Sequence, residues 1–163
     1  MGEEMTNETR ARDLVERYRQ AYEERDIEHL MALFAADAEL TWAGGTFRGQ
    51  KALRRVLEWD ARESPTAAVT DCGVGVVVAG RTIVWERVVH LAYEGRIPFE
   101  ERAVTVLELD DTGLISRLRS YYDKLDVLDQ IASGSPGIQG RVFRMLTGWL
   151  VRQGSKGLDL EPG

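Results

Sequence analysis

The sequence predicts an α+β domain in which a curved antiparallel sheet wraps around N-terminal helices, with an extra C-terminal helix. Apolar residues recur at helical spacing before Pro65 and follow the period of two that strands show after it. The strand-like runs are joined by short segments that carry Gly or Asp, as hairpins are. Helices that precede such a meander can cover one face of the sheet and leave an apolar hollow between the layers.

Three helices are predicted before Pro65. The first covers about residues 6–25, and the second covers "DIEHLMALF" with Asp26 as its N-cap and with Leu33 and Phe34 on its inward stripe. Between the second and third helices, "AELTW" alternates as a strand does, and "TFRG" leads into the third helix, over about residues 50–63.

Four hairpin-linked strands follow, over about residues 67–78, 82–93, 97–109 and 114–122. A helix in "DKLDVLDQIA" comes next, with Asp123 as its predicted cap, and "SGSPGIQG" separates it from an amphipathic helix in "RVFRMLTGWLVRQ". We therefore expect a cone-shaped domain over residues 1–131 and a linker with a C-terminal helix over residues 132–163. That last helix could pack on the domain or across a dimer, or cover the pocket as a flap, or lie on a membrane surface.

Composition narrows the classes of partner. A net charge of −6 argues against a nucleic-acid partner, because proteins that bind nucleic acids neutralise the phosphates with Lys and Arg. No apolar run of about twenty residues predicts a membrane span, and the N-terminus has no signal-peptide core, so we expect a cytoplasmic protein. Cys72 is the only cysteine and lies in a strand-like run, where a buried, unreactive thiol is expected. No residue spacing predicts a metal site, and no cofactor is expected.

One strand, "IVWERVVHL", carries an arginine among apolar residues. Alternation places Trp85, Arg87, Val89 and Leu91 on one face, and this face is the more apolar one, so we expect it to point inward. His90 then points outward. A buried guanidinium keeps its charge and needs a carboxylate partner, since an unpaired one costs several kcal/mol.

The next strand offers that partner. If "EGRI" is the turn, residues whose numbers sum to about 190 pair, and Glu101 lies opposite Val89, diagonal to Arg87 on the same face as Ala103. We therefore expect a buried pair of Arg87 and Glu101 in which the arginine lowers the pKa of Glu101. On the last strand Ser120 and Tyr122 share the inward face, whereas the face with Arg117, Arg119 and Tyr121 is outside or in a dimer interface.

The segments "IVWERVVHL", "ELDDTGLISRLRSYYDKLD", "DAELTW" and "FRGQKAL" resemble the nuclear transport factor two superfamily, in its SnoaL-like polyketide cyclase and limonene epoxide hydrolase branch. The resemblance covers about residues 10–131 and implies a conical pocket. In the epoxide hydrolases two aspartates surround the arginine that Arg87 matches. Those aspartates fall on Val89 and Ser120 here, which argues against epoxide hydrolysis.

Other branches of the superfamily imply other site residues. By similarity to ketosteroid isomerases, Tyr18 or Tyr22 is a candidate oxyanion donor and Glu101 a candidate base or acid, although Trp42 lies near the position of their catalytic aspartate. By similarity to SnoaL-like cyclases, Asp123 is a candidate for proton transfer, with a helix N-cap as the alternative.

Two hypotheses follow. In the first, the protein is a cofactor-free isomerase or cyclase that binds a small apolar molecule, with Glu101 as proton carrier, Arg87 tuning it, and Ser120 and a tyrosine as hydrogen-bond donors. In the second it is non-catalytic, and Arg87 and Glu101 form a structural ion bridge or an anchor for a carboxylate ligand. The aromatic residues Tyr18, Tyr22, Trp42 and Trp85 form core or pocket wall in either case. A homodimer through the outer sheet face is expected.

Overall fold

The computed structural model describes residues 2–42, 44–135, 141–142 and 145. Three helices and two short strands come first: α1 (Gly2–Glu23), α2 (Ile27–Ala32), β1 (Phe34–Trp42), β2 (Gly45–Arg48) and α3 (Gln50–Glu63). The meander and a helix follow: β3 (Ala67–Ala79), β4 (Thr82–Tyr93), β5 (Ile97–Leu109), β6 (Ile115–Tyr122) and α4 (Lys124–Gly134). The predicted α+β class is confirmed.

Two local predictions before α3 were wrong. Phe34 does not belong to the second helix but begins β1, because Leu33 ends α2 as its C-cap and the chain becomes extended there. The "TFR" segment is a strand, β2, that pairs with β1. Four residues are too few for their alternation to be visible in the sequence. Asp26 does cap α2, since its carboxylate accepts a hydrogen bond from the His29 backbone N–H at 3.0 Å.

The six strands form one sheet in the order β2-β1-β6-β5-β4-β3. All neighbours are antiparallel except β1 and β6, which run parallel. The sequence predicted a wholly antiparallel sheet, and in this respect the prediction was wrong. The predicted register of the central hairpin is confirmed, with Val89 opposite Glu101 and Arg87 opposite Ala103. Arg87 and Glu101 therefore lie on one face of the sheet.

The core lies between the inward face of the sheet and the helices. From the helices come Val15, Leu30 and Leu53, and from the sheet come Ile83 and Leu107, each at most 2% exposed. On α3 the buried residues Leu53, Val56 and Leu57 follow helical spacing. α1 and α3 thus cover the same sheet face that carries Arg87.

β3 contains a bulge between Asp71 and Val76. Gly73 has φ +52° there, and the carboxylate of Glu86 occupies the space where a Cβ would lie. That carboxylate accepts a hydrogen bond from the Val74 N–H at 3.1 Å. Cys72, which the sequence placed in the core, is only partly buried beside this bulge.

α4 lies along β5. The Gln130 side chain accepts from the Glu100 N–H at 2.8 Å and donates to the Glu100 carbonyl at 3.0 Å, which fixes the helix to the strand. α4 ends at Gly134, three residues beyond the predicted domain end. The predicted helix in "RVFRMLTGWLVRQ" lies almost wholly outside the described residues. Among the helices that the structure describes, none has the length and apolarity needed to cross a membrane.

Candidate functional site

A cavity between the sheet and the helices has two parts. The inner chamber, with a volume of about 40 Å³, is bordered by α1, α3 and the inward face of β4, β5 and β6. The outer chamber, about 1080 Å³, lies between α3, α4 and the edges of several strands. Trp42, Val56, Asp60 and Glu101 line both chambers and form the neck between them. The predicted hollow therefore exists, and it is divided.

Arg87 lies at the inner chamber with 4% of its surface exposed. Its guanidinium carbon lies 4.5 Å from the centre of the Trp85 ring and 5.9 Å from the rings of Tyr18 and Tyr22. These aromatic faces attract the cation but supply no hydrogen-bond acceptor. Nε and Nη1 are buried and have no hydrogen-bond partner among the described residues.

The predicted ion pair of Arg87 with Glu101 was wrong. Register brings the two residues to diagonal positions, yet no salt bridge joins them within the described chain, because the guanidinium lies against the aromatic rings. Asp71, directly opposite Arg87 on β3, does not pair with it either. Its carboxylate accepts hydrogen bonds from the Trp85 indole N–H, at 2.8 Å, and from Arg19. Arg87 thus lines the inner chamber and has two buried donors without a partner among the described residues.

Glu101 is 7% exposed and lines the neck. Burial raises the pKa of its carboxyl to about 7, because removal from water disfavours the charged form, while Arg87 opposes this shift and Asp60 adds to it. The expected lowering of the Glu101 pKa was therefore wrong in sign. At neutral pH the carboxyl and the carboxylate are both populated, which is the condition for efficient proton transfer in either direction.

Asp60 is a second acid of the neck, and the sequence reading missed it. Its carboxylate accepts hydrogen bonds from the Tyr22 hydroxyl and from Arg25 Nη1, both at 3.0 Å, and its side chain is 14% exposed. Burial raises the pKa of Asp60, and Arg25 opposes this. The signal was present in the sequence, since Asp60 follows Val56 by four residues and Leu57 by three, which places it on the inward face of α3.

The two candidate tyrosines differ in what their hydroxyls do. Their rings stack at 6.2 Å, and both side chains line the inner chamber. The Tyr22 hydroxyl donates to Asp60, whereas no described residue is hydrogen-bonded to the Tyr18 hydroxyl. Burial raises the pKa of both phenols, so both remain protonated donors at neutral pH.

Ser120, Trp42 and Tyr122 also border the cavity, as the sequence predicted. The Ser120 hydroxyl lies in the inner chamber, 3.3 Å from that of Thr105. The Trp42 ring lies 5.6 Å from that of Trp59, which the sequence reading did not single out, and both line the outer chamber. Tyr122 lines the outer chamber, and burial raises the pKa of its hydroxyl.

Four predicted site residues do not reach the cavity. Trp85, Val89 and Ala103 are at most 3% exposed and form core behind it, with Trp85 lying under Arg87. Asp123 is exposed and caps α4, since its carboxylate accepts hydrogen bonds from the N–H groups of Leu125 and Asp126 at 2.9 and 3.2 Å. Its second interpretation, the N-cap, is the one the structure bears out. Among the described residues no group of His, Cys, Asp and Glu could hold a metal ion.

The opposite face of the sheet carries charged and exposed apolar residues. Arg119 and Arg117 bond to Glu108, and His90 lies 3.2 Å from Glu100. Three large apolar side chains, Val77, Val104 and Tyr121, are 39 to 54% exposed. The predicted outward directions of His90, Arg117 and Arg119 are confirmed.

Comparison with known proteins gives matches in sequence and in fold. Residues 15–118 match the family described as "SnoaL-like domain". A hypothetical protein from Catenulispora acidiphila with a ketosteroid isomerase-like fold, solved in complex with trimethylamine, is 23% identical, with TM-score 0.65 and coverage of 76% of this chain and 97% of that one. A Shewanella denitrificans protein described as a SnoaL-like polyketide cyclase is 19% identical, with TM-score 0.66 and coverage of 75% and 96%. A computationally designed 17-OHP binder is 21% identical, with TM-score 0.59 and coverage of 68% and 89%. No curated protein matches the chain.

Proposed function

The chain belongs to the SnoaL-like domain family, and from that premise we propose that it binds a small hydrophobic molecule in the two-chamber cavity and catalyses a cofactor-free acid/base reaction on it, as an isomerase or cyclase. The observation that carries this proposal is Glu101, a buried carboxyl at the neck with a pKa of about 7. A base or acid of this kind can take a proton from one carbon and return it to another near neutral pH.

The other groups of the inner chamber have roles that fit such a reaction. Removal of a proton next to a carbonyl places negative charge on the carbonyl oxygen, and that charge needs donors fixed in advance. Arg87, Tyr18 and Ser120 line the chamber, and each carries an N–H or O–H donor. Asp60, held by Tyr22 and Arg25, keeps a negative charge near Glu101 and so helps to raise its pKa.

Epoxide hydrolysis by the two-aspartate route finds no support in this cavity. The positions that correspond to the two acids are Val89, a core residue, and Ser120, and neither side chain can act as a general acid or base near neutral pH. Asp60 and Glu101 are two carboxyls on one neck, but they come from α3 and β5.

Non-catalytic ligand binding is the second candidate function. It is favoured by one observation, namely that no hydrogen bond within the described chain orients the Glu101 carboxyl. Catalytic acids and bases are normally held in position by a neighbour. A ligand could supply that contact. Without it, Glu101 would be a polar residue that lines the binding site and has no role in catalysis.

The two functions are separated by Glu101→Gln, an isosteric change that keeps the shape of the neck and removes the proton carrier. The assay is hydrogen–deuterium exchange in D2O, followed by NMR, on a panel of β,γ-unsaturated ketones and polyketide-like 1,3-dicarbonyl compounds. A catalyst exchanges the protons next to the carbonyl, and the variant loses at least a hundredfold in rate while it still binds the same compound. Glu58→Gln, an exposed acid of the outer chamber, is the matched control. Wild-type binding without exchange would support the non-catalytic function.

We also propose a homodimer through the outer sheet face, where Val77, Val104 and Tyr121 are exposed. Such apolar side chains on a sheet are commonly covered by a partner. Sedimentation velocity of the protein and of Val104→Glu tests this, and the variant is expected to sediment as a monomer. A wild-type monomer at 50 μM would contradict it.

A further inference from the structure

The inner chamber contains a cation with unfilled hydrogen-bonding capacity. Only 4% of the surface of Arg87 is exposed, and its buried Nε and Nη1 have no hydrogen-bond partner in the described part of the chain. A buried donor without an acceptor costs free energy, and a guanidinium prefers a planar, two-oxygen acceptor above others. Asp71 is hydrogen-bonded to Trp85 and Arg19, Asp60 is hydrogen-bonded to Tyr22 and Arg25, and Glu101 forms no salt bridge with Arg87 within the described chain.

The charges around the chamber balance only when Glu101 is ionised. Arg25 and Arg87 contribute two positive charges and Asp60 contributes one negative charge, so the sum is +1 when Glu101 is protonated and 0 when it is ionised. An anion entering the chamber therefore completes the charge balance if Glu101 keeps its proton. A cation would add a second uncompensated charge to a buried site.

The net charge of the residues around the rim of the outer chamber is also positive. Apart from the two acids of the neck, the charged residues that line it are four cations and two carboxylates, for a sum of +2: Arg48, Lys51, Arg55, Arg62, Glu58 and Glu63. A rim of this sign attracts anions toward the cavity, although the whole chain has a net charge of −6.

The two chambers differ greatly in volume, so they would hold different parts of a ligand. The inner chamber, at about 40 Å³, has room for a small polar group and not for a ring system. The outer chamber, at about 1080 Å³, can hold a drug-sized body and is lined by aromatic side chains that include Trp42, Trp59 and Phe99.

We propose that the ligand of this cavity is an apolar carboxylic acid, whose carboxylate enters the inner chamber and accepts hydrogen bonds from Arg87 while its apolar body fills the outer chamber. This inference rests on the proposed function, because it names the ligand class of the same cavity. It extends the ligand-binding part of that function by assigning the charge and position of the polar group, and in the complex with a carboxylate Glu101 begins as the proton donor.

Binding of this anion is coupled to a proton. The charged and titratable groups that act on Glu101 come from α1, α3, β4 and β6, and they are Tyr18, Tyr22, Asp60, Arg87 and Tyr122. A new negative charge beside Glu101 favours its protonated form still more, so the protein takes up a proton as the carboxylate binds.

Three probes of equal shape and different charge test the head group: 2-naphthoate, 2-naphthamide and (2-naphthyl)methylammonium. Affinities are measured at pH 6 by titration calorimetry. We expect naphthoate to bind at least tenfold tighter than the amide and the ammonium to bind weakest. Equal affinity for naphthoate and the amide, or tightest binding of the ammonium, refutes the head-group inference and leaves the cavity proposal standing. No binding of any probe at 1 mM refutes both.

Arg87→Met and a matched variant, Arg17→Met, locate the effect. Arg17 is an exposed cation of α1 that lines neither chamber. Arg87→Met should reduce the preference for naphthoate over naphthamide to less than twofold, whereas Arg17→Met should change it by less than threefold. An unchanged preference in Arg87→Met would overturn the assignment.

A second measurement needs no variant of Arg87, which contributes to the core and whose loss could unfold the protein. Calorimetry of the wild type at pH 7 in phosphate and in Tris gives the number of protons exchanged on binding. The protein should take up about half a proton when naphthoate binds, because Glu101 titrates near pH 7. Binding of naphthamide should cause no proton uptake. Proton uptake should disappear in Glu101→Gln. Naphthoate binding without proton uptake by the wild type would contradict the proposal.

Discussion

The titration of Glu101 should make the protein less stable as the pH rises from 5 to 8, and Glu101→Gln should remove that loss. The pKa of the carboxyl is about 7 in the folded state and 4.5 in a solvated chain. The folded state therefore holds the proton more tightly than the unfolded state. The stability that Glu101 contributes is present below the unfolded pKa and is lost as the pH rises through the folded one.

The magnitude follows from the two pKa values. Between pH 5 and pH 8 the ionisation of Glu101 lowers the free energy of unfolding by about 2 to 3 kcal/mol, because one pKa unit corresponds to about 1.4 kcal/mol. With only 7% of the residue exposed, solvent screening reduces this value little. Glutamine has the same shape and no charge to desolvate, so the variant lacks this term.

Urea unfolding of both proteins at pH 5, 6, 7 and 8 measures the effect. The difference in free energy of unfolding, variant minus wild type, should rise by about 2 to 3 kcal/mol over this range, with half of the rise complete by about pH 6. Glu58→Gln, which changes an exposed acid, is measured alongside as the control. A constant difference for Glu101→Gln would mean that water reaches the carboxyl, and the acid/base role proposed for it would lose its basis.

Three further predictions concern named contacts. Tyr22→Phe removes a donor from the buried carboxylate of Asp60 and should lower the free energy of unfolding by about 1 to 2 kcal/mol at pH 7, measured in urea; no loss would mean that Asp60 is solvated. Asp123→Ala should cost about 1 kcal/mol through the lost cap of α4 and leave turnover within twofold, whereas abolished turnover in a folded variant would return Asp123 to the site. Gly73→Ala should lower the melting temperature by several degrees more than Gly80→Ala; both glycines have positive φ, but only at Gly73 would a Cβ meet another side chain, so equal losses would refute the steric reason.

The strands were more predictable than the short elements before them. β4 and β5 alternate over 12 and 13 residues, and the turn between them fixes the register, so the position of Glu101 opposite Val89 followed from counting. The parallel pairing of β1 with β6 joins segments that are far apart in the sequence. No local pattern specifies such a pairing.

The site was predictable in its residues but not in its contacts. Alternation placed Arg87 inward, and this was correct, yet a shared face does not decide where a long side chain ends. The guanidinium lies on Trp85, which is an outcome of packing among α1, β3 and β4. Burial raises the pKa of Glu101 and attraction to Arg87 lowers it, so the direction of the shift depends on which effect is larger. The depth of burial is set by the whole fold, and no local pattern reveals it. Asp60 could have been found, because its place on the inward face of α3 follows from helical spacing.

The Trp42 and Trp59 rings, 5.6 Å apart and inclined by 58°, give the cavity its own spectroscopic signal. Two indoles this close and this oblique couple their electronic transitions, so they should produce a paired band in the near-ultraviolet circular dichroism spectrum. A molecule that separates the rings on entry would erase that band without any dye or label. Occupancy of the outer chamber can therefore be followed by light absorption alone, even for a compound that the protein does not transform.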